Sequence, residues 1–434
     1  MYILVSVICL LIGLYSFKKD KRLYSPLVLF ASFWGVLIFL SGLHLYGLFN
    51  TSDYVYLIVF LGVVSFFLGT LFVSKKNIIN QKKNNILNKK IYKLAVVVCI
   101  CALYLNISFI FKFLASGFDI HYIYQAMASL SEGNDEELLK LYNPTLVIIQ
   151  QFIGYPLLFV IVPISIAEYV ECKNKRYLYI AVLLSLIRFL FDFRRTYLVI
   201  ILMFLALYLV IRKKEQGENF LKKINTFNKK ISLKKKLFIA FVIVLIGYFF
   251  SSLSSARRGD EGSEEYSLFS NFYYYYVGSL PYFSSRVSML GHFDFTYGLT
   301  SFRGLFSPIF AILGMMGMDK PDLMQLANDN INDLHNVVLL ITKEHYSNSY
   351  ATCFFEFYLD GGIWGVVILS IVFGLYSEYL FKKCMYVKSS RYIWKYSLFI
   401  SIFIYLSVLH FNGSVVCYIW PFIIEGLFYK RKNS

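Results

Sequence analysis

Apolar runs of about 20 residues, long enough to cross a bilayer, follow one another to Ser254. They stop between residues 255 and 351 and resume at Thr352. In lipid every backbone N–H and C=O must find its partner within the protein, so runs of this kind fold as helices. The expected fold class is therefore an all-α, multi-spanning membrane protein. The interruption divides the chain into N-terminal helices (1–254), a large loop (255–351) and C-terminal helices (352–434).

Composition agrees with this class. Of 434 residues, 58% are hydrophobic, and the mean hydropathy is +0.59. A soluble domain of this size carries far more polar surface. The net charge of +17 would suit nucleic acid, but the lysines sit between apolar runs, as cytoplasmic anchors do, so no nucleic-acid partner is expected. Tyr and Phe are abundant, at 36 and 43, and some of the tyrosines belong in interfacial belts. The seven cysteines are scattered in or beside apolar runs and form neither a disulfide framework nor a metal-ligand pattern.

About eleven spans are expected. Their approximate limits are 2–17, 25–43, 54–73, 94–113, 145–167, 177–191, 196–211, 237–254, 352–381, 392–411 and 414–429. Most of the 43 lysines and arginines then fall in the loops 18–22, 75–93, 173–176, 212–236, 382–395 and 430–432. All six loops lie on one side, which the positive-inside rule makes cytoplasmic. The N-terminus and the loop 255–351 face outward, and the C-terminus faces the cytoplasm. Tyr2 to Phe17 lacks a basic leader and a small-residue cleavage site, so no cleavable signal peptide is expected. The tightest turn is Asp192-Phe193-Arg194-Arg195, without Gly or Pro. A single helix over 177–211 would be too long for the bilayer, so a hairpin is expected there. Tyr266–Ser285 and Gly304–Met318 are read as interfacial or re-entrant segments rather than spans.

Arginine is the base that grips phosphate with a planar fork. Arg257 and Arg258 follow the eighth span directly, at headgroup level. They either bind an anionic substrate or anchor the helix end. Arg188 lies inside an apolar run, where a charge is costly and marks a functional candidate. Its alternative is an ion pair with Asp192. Arg194 and Arg195 fall at the outer face on this topology. Arg286 closes the aromatic stretch Phe272-Tyr-Tyr-Tyr-Tyr276, in which Tyr274 and Tyr275 are candidate platforms for sugar rings or members of an interfacial belt. Arg303 is a phosphate contact or a surface charge. His335 is a candidate general base in the outer loop, and Glu344, His345 and Asp360 are further candidates. Asp360 sits in Phe357-Tyr-Leu-Asp-Gly-Gly-Ile-Trp-Gly365, whose glycines permit close packing or a strained entry into the membrane; capping of a helix N-terminus is the alternative. The Asn328–Asp333 string lacks the spacing and glycine of a calcium loop. No nucleotide loop, zinc motif or nucleophile elbow is present, so no cofactor and no metal are expected.

This layout resembles the Wzy-type oligosaccharide repeat unit polymerases, with a weaker likeness to the O-antigen ligases. The resemblance covers the whole chain as architecture. Its local anchors are Arg257-Arg258-Gly259, His335-Asn336 with Leu339, and Phe357-Tyr358 with Asp360, Gly361, Gly362 and Gly365. The ligases carry a His-Asn-x-x-Leu element shortly before Gly-x-x-Gly, and here the gap is much longer. The resemblance implies a metal-independent, GT-C-like glycosyltransferase in the bacterial inner membrane. Such an enzyme moves a growing glycan from undecaprenyl pyrophosphate to the next lipid-linked unit at the periplasmic face. It also implies a chain-length regulator as partner, beside the lipid-linked oligosaccharide and membrane lipids. Arg257, Arg258, Arg194, Arg195, Arg188 and Arg286 would bind pyrophosphate, with His335, Asp360 or Glu344 as base. A flippase or other transporter is the alternative from another class. Transporters usually show two related halves with charges at midplane, and this chain has no visible repeat.

Overall fold

The computed structural model describes residues 1–74, 85–115, 144–192, 195–215, 268–291, 293–343, 345–348 and 351–431. It is mostly helical and falls into two compact units. The first comprises Met1–Asn88 and Tyr266–Ser434, and the second Lys89–Glu265. Among the described residues five helices are long and apolar enough to cross a membrane, and several shorter apolar helices accompany them. The protein is thus a multi-helix membrane protein by length and composition of its helices.

In the first unit, α1 (Tyr2–Asp20) and α2 (Pro26–Gly42) form an antiparallel hairpin. Small residues let the two backbones approach: Ser6 Oγ donates to Gly35 O at 2.7 Å. The third helix, α3 (Asp53–Leu71), starts at Ser52, whose hydroxyl accepts from Val55 N–H. It runs parallel to a helix made some 300 residues later, Cys353–Val387. A Cβ on Gly69 would lie 2.2 Å from Ile371 O, and one on Gly374 would lie 2.1 Å from Phe66 O. Such close approach supplies dispersion where lipid removes the hydrophobic drive between helices.

The second unit holds α4 (Lys89–Ala102), α5 (Tyr104–Ala115), α6 (Pro144–Ile149), α7 (Tyr155–Cys172), α8 (Lys175–Asp192) and α9 (Arg195–Glu215). A π turn, Gln150–Gly154, joins α6 to α7. Where a turn is expected at 192–195, α8 ends at Asp192 and α9 begins at Arg195. Ser185 and Tyr197 hydroxyls meet between the two helices at 3.3 Å, while Phe159 stacks edge-on to Tyr197. At the far end Arg212 pairs with Glu171 at 2.6 Å. The expected span 237–254 lies outside the described residues.

The interruption folds as short elements of the first unit: α10 (Leu268–Val277), α11 (Ser279–Met289), α12 (Arg303–Met315), α13 (Asp322–Asn336) and a hairpin of β2 (Val338–Leu340) with β3 (Tyr346–Asn348). At 1.5 Å per residue none reaches the ~30 Å of a bilayer core. Tyr273 Oη donates to Leu40 O at 2.8 Å and Phe49 N–H to Ile341 O at 2.8 Å. These bonds dock the loop elements on one end of the α1–α3 group. Burial pushes the Tyr273 hydroxyl up to about 12, so it remains a donor.

The helix α14 (Cys353–Val387) breaks at Gly361–Gly362, where Gly362 has φ 59° and ψ −143°. That conformation is essentially confined to glycine. Beyond it α15 (Ser390–Phe399) continues through a π turn, Ile400–Ile404, and a tighter turn, Tyr405–Val408. The segment expected to span at 414–429 holds a shorter apolar helical stretch, Val416–Phe428. Pro421 interrupts its backbone donors, and Glu425 is held by Arg391 and Lys395.

The lysine-bearing segments gather at the opposite end of the first unit. β1 (Asn85–Leu87) pairs antiparallel with β4 (Tyr429–Arg431). Lys382 Nζ donates to Val73 O at 2.8 Å, and Tyr396 Oη to Tyr24 O at 2.5 Å. The described residues around 18–25, 73–74, 85–88, 382–396 and 429–431 therefore share one end, the lysine end. The described residues within 44–53, 268–352 and 409–415 make up the loop end.

Candidate functional site

At the loop end the start of α3 meets α11 and opens a groove of about 300 Å³, lined by Ser52, Tyr54, Ser284, Ser285, Val287 and Ser288. That is the lower end of the range for small-molecule sites, about 300–1,000 Å³. Helical spacing brings Ser284, Ser285 and Ser288 to one face of α11. Ser52 N–H donates to Ser284 Oγ at 3.1 Å and fixes the two helices against each other. Tyr54, 40% exposed, meets the hydroxyl of Tyr358 at 3.3 Å. Tyr358 belongs to the first segment of α14 and packs against Phe293 with ring centroids 5.7 Å apart. The walls thus offer hydroxyls, a backbone N-terminus and aromatic faces.

Arg286 belongs to the same helix, α11, but is not one of the residues that line the groove. Its guanidinium lies over the Phe355 ring, 5.8 Å from the centroid, and its Nε has no hydrogen-bond partner among the described residues. No carboxylate there pairs with it either. A half-buried guanidinium over an aromatic ring, with no anion, is a ready receptor for phosphate.

Asp360 closes the first segment of α14. Its Oδ1 accepts from Thr296 Oγ1 (2.6 Å) and Thr300 N–H (3.0 Å), and its Oδ2 accepts from Ser301 N–H (3.0 Å). The backbone returns the link, since Tyr297 N–H donates to Asp360 O at 2.9 Å. Both carboxylate oxygens are engaged, so the geometry makes Asp360 a clamp on the turn that leads into α12. Glu356, four residues earlier, is buried as well: Oε1 accepts from Phe411 N–H at 2.8 Å, and Oε2 has no partner among the described residues. Nothing in the sequence pattern marked Glu356, because its partner is a backbone amide 55 residues away. Arg303 sits at the start of α12 beside Asn328 and Ser414 O. Burial lowers its guanidinium from the ordinary value, and the charge of Glu356 opposes that shift.

The remaining candidates are placed as follows. Tyr274 is buried; its hydroxyl donates to Tyr46 O at 2.8 Å and its ring stacks on His345 at 4.5 Å. Tyr275 is 38% exposed and sits edge-on to Tyr276, so of the two tyrosines it keeps the more accessible ring. His335 lies in the last turn of α13, and Tyr282 of α11 donates to Val337 O at 2.8 Å. This bond ties the end of α13 to the helix that lines the groove. Arg188 belongs to the second unit, 4.3 Å over the Tyr155 ring. Tyr155 in turn donates to the buried Asn106 at 3.3 Å. Arg195 opens α9 in that same unit. Arg194, Arg257, Arg258 and Glu344 lie outside the described residues.

No family model, curated protein or solved structure matches the chain.

Proposed function

We propose that the protein polymerises undecaprenyl-pyrophosphate-linked oligosaccharide repeat units at the outer face of a bacterial cytoplasmic membrane. The architecture in this proposal is the eleven-span, GT-C-like one, with the lysine end in the cytoplasm. One observation carries the reading: a hydroxyl-lined groove at the loop end, on the helix that also carries Arg286, with which no carboxylate pairs among the described residues. Serine and tyrosine hydroxyls suit sugar hydroxyls, and a guanidinium suits a phosphate.

In the reaction, an acceptor sugar hydroxyl attacks the anomeric carbon of the donor glycan. The new C–O bond forms as the bond to pyrophosphate breaks, and undecaprenyl pyrophosphate leaves with the electron pair. The hydroxyl proton passes to a base, for which His335, Glu344 and Asp360 are the candidates. The leaving pyrophosphate gains negative charge, which preorganised arginines stabilise in a poorly hydrated site. Arg286 is proposed for this role, and Arg257 and Arg258 are further candidates for it. Lipid tethering holds donor and acceptor in one thin layer and lowers the entropic cost of their meeting.

The test is reconstitution of purified protein with synthetic lipid-pyrophosphate repeat units, followed by gel analysis. A ladder of products is expected, and Arg286→Ala should slow it by about 10²–10³-fold, the scale of one lost charge-stabilising donor. Transfer only to a lipid A core acceptor would make the protein a ligase. Movement of the lipid between leaflets without a new glycosidic bond would make it a transporter.

A further inference from the structure

Two neighbouring lysines near the C-terminal end of α14 are treated very differently. Lys382 pairs with Glu378 at 3.1 Å and donates to Val73 O. Lys383 is the more buried of the two, only 8% exposed, yet no carboxylate pairs with it among the described residues. Its Nζ lies over two rings, 4.5 Å from the centroid of Tyr379 and 5.1 Å from that of Tyr392. Arg391 lies over the same Tyr392 ring at 5.5 Å and over Tyr429 at 5.0 Å. Arg391 shares the single carboxylate of Glu425 with Lys395, at 2.8 and 2.6 Å. Among the described residues, three cations therefore share this buried corner with one paired anion, Glu425.

Removing an ammonium from water without a counter-charge is costly, and two ring faces recover only part of that cost. The arrangement is complete if an anion enters from outside. We propose that Lys383 and Arg391 hold the phosphate of an anionic phospholipid from the leaflet at the lysine end. A phosphodiester offers the two oxygens that the ammonium and guanidinium require. The surroundings favour a lipid over free phosphate: the short helical stretch that carries Glu425 also exposes Ile423 and Leu427, at 49% and 66%, so this part of the protein offers apolar surface to acyl chains. Basic pockets between membrane helices bind headgroups by this chemistry. The site is far in the chain from the serine-lined groove and does not depend on the function proposed for it.

Native mass spectrometry of the full chain, released from nanodiscs of mixed phosphatidylglycerol and phosphatidylcholine, tests it. Wild-type protein should retain phosphatidylglycerol at least fivefold over phosphatidylcholine. Lys383→Gln should abolish that preference, Lys383→Arg should keep it, and Lys382→Gln should leave it unchanged. Equal retention of the two lipids by the wild type overturns the proposal without any variant. So does a Lys383→Gln protein that still prefers phosphatidylglycerol. Displacement of the lipid by millimolar inorganic phosphate that itself stays bound would assign the site to free phosphate and overturn the lipid assignment.

Discussion

Residues 353–360 and 363–387 belong to one helix, α14, but are packed in different ways. In the first segment Phe354, Phe355 and Phe357 are fully buried, and Leu359 nearly so. It also carries two buried carboxylates, each met by backbone amides. In the second segment Ile368, Val372 and Leu375 are 56%, 48% and 42% exposed, while the opposite face presses Gly374 against α3. Surrounded on all sides, the first segment is held by specific hydrogen bonds as well as packing. The second needs one close-fitting face and leaves the other to lipid. Gly361 and Gly362 separate the two, because the orphaned carbonyls at the end of the first segment must reach Thr296 and Tyr297 N–H rather than continue the helix.

Three substitutions probe this contrast. Asp360→Ala should have the largest effect. It leaves Thr296 Oγ1 and the amides of Thr300 and Ser301 without their acceptor in a site where all three residues are 0% exposed. At about 1–3 kcal/mol per buried orphan, a loss of about 4 kcal/mol is expected, read as a fall in the thermal midpoint in detergent. A midpoint unchanged from wild type would deny the clamp. Gly362→Ala comes next. A Cβ has space there, with Phe295 no closer than 3.5 Å, so the cost is backbone strain of about 1–3 kcal/mol. The same assay measures it, and a gain in stability would show that the break is not needed. Val372→Ala, on the lipid-facing side of the second segment, should stay within about 0.5 kcal/mol of wild type. A loss as large as that of Asp360→Ala would mean that this face is covered by protein.

Much of the helical layout was legible because apolar length and lysine position are strong, local signals. The separation of α8 from α9 was legible for the same reason, since a continuous helix would have exceeded the bilayer. The glycines at 361 and 362 announced a strained or close-packed entry, and the dihedral angles at Gly362 fit the first of these. The groove was not legible. Ser52 and Ser284 are common residues 232 positions apart, and only the tertiary fold gives them a shared purpose. Arg286 stood out as a charge, but its neighbours did not. Hydropathy marked the final apolar run but could not register that its Glu425 is anchored to Arg391 and Lys395.

The first unit is assembled from Met1–Asn88 and Tyr266–Ser434, with the second unit inserted between them in sequence. This order has a consequence for biosynthesis. The glycine face of α3 is made about 300 residues before the helix that fills it, and at about 5–20 residues per second it waits roughly 15–60 seconds. During that interval the ribosome and insertion machinery must shelter a nascent helix whose best partner does not yet exist, and the two-stranded join between Asn85–Leu87 and Tyr429–Arg431 is the last latch to close.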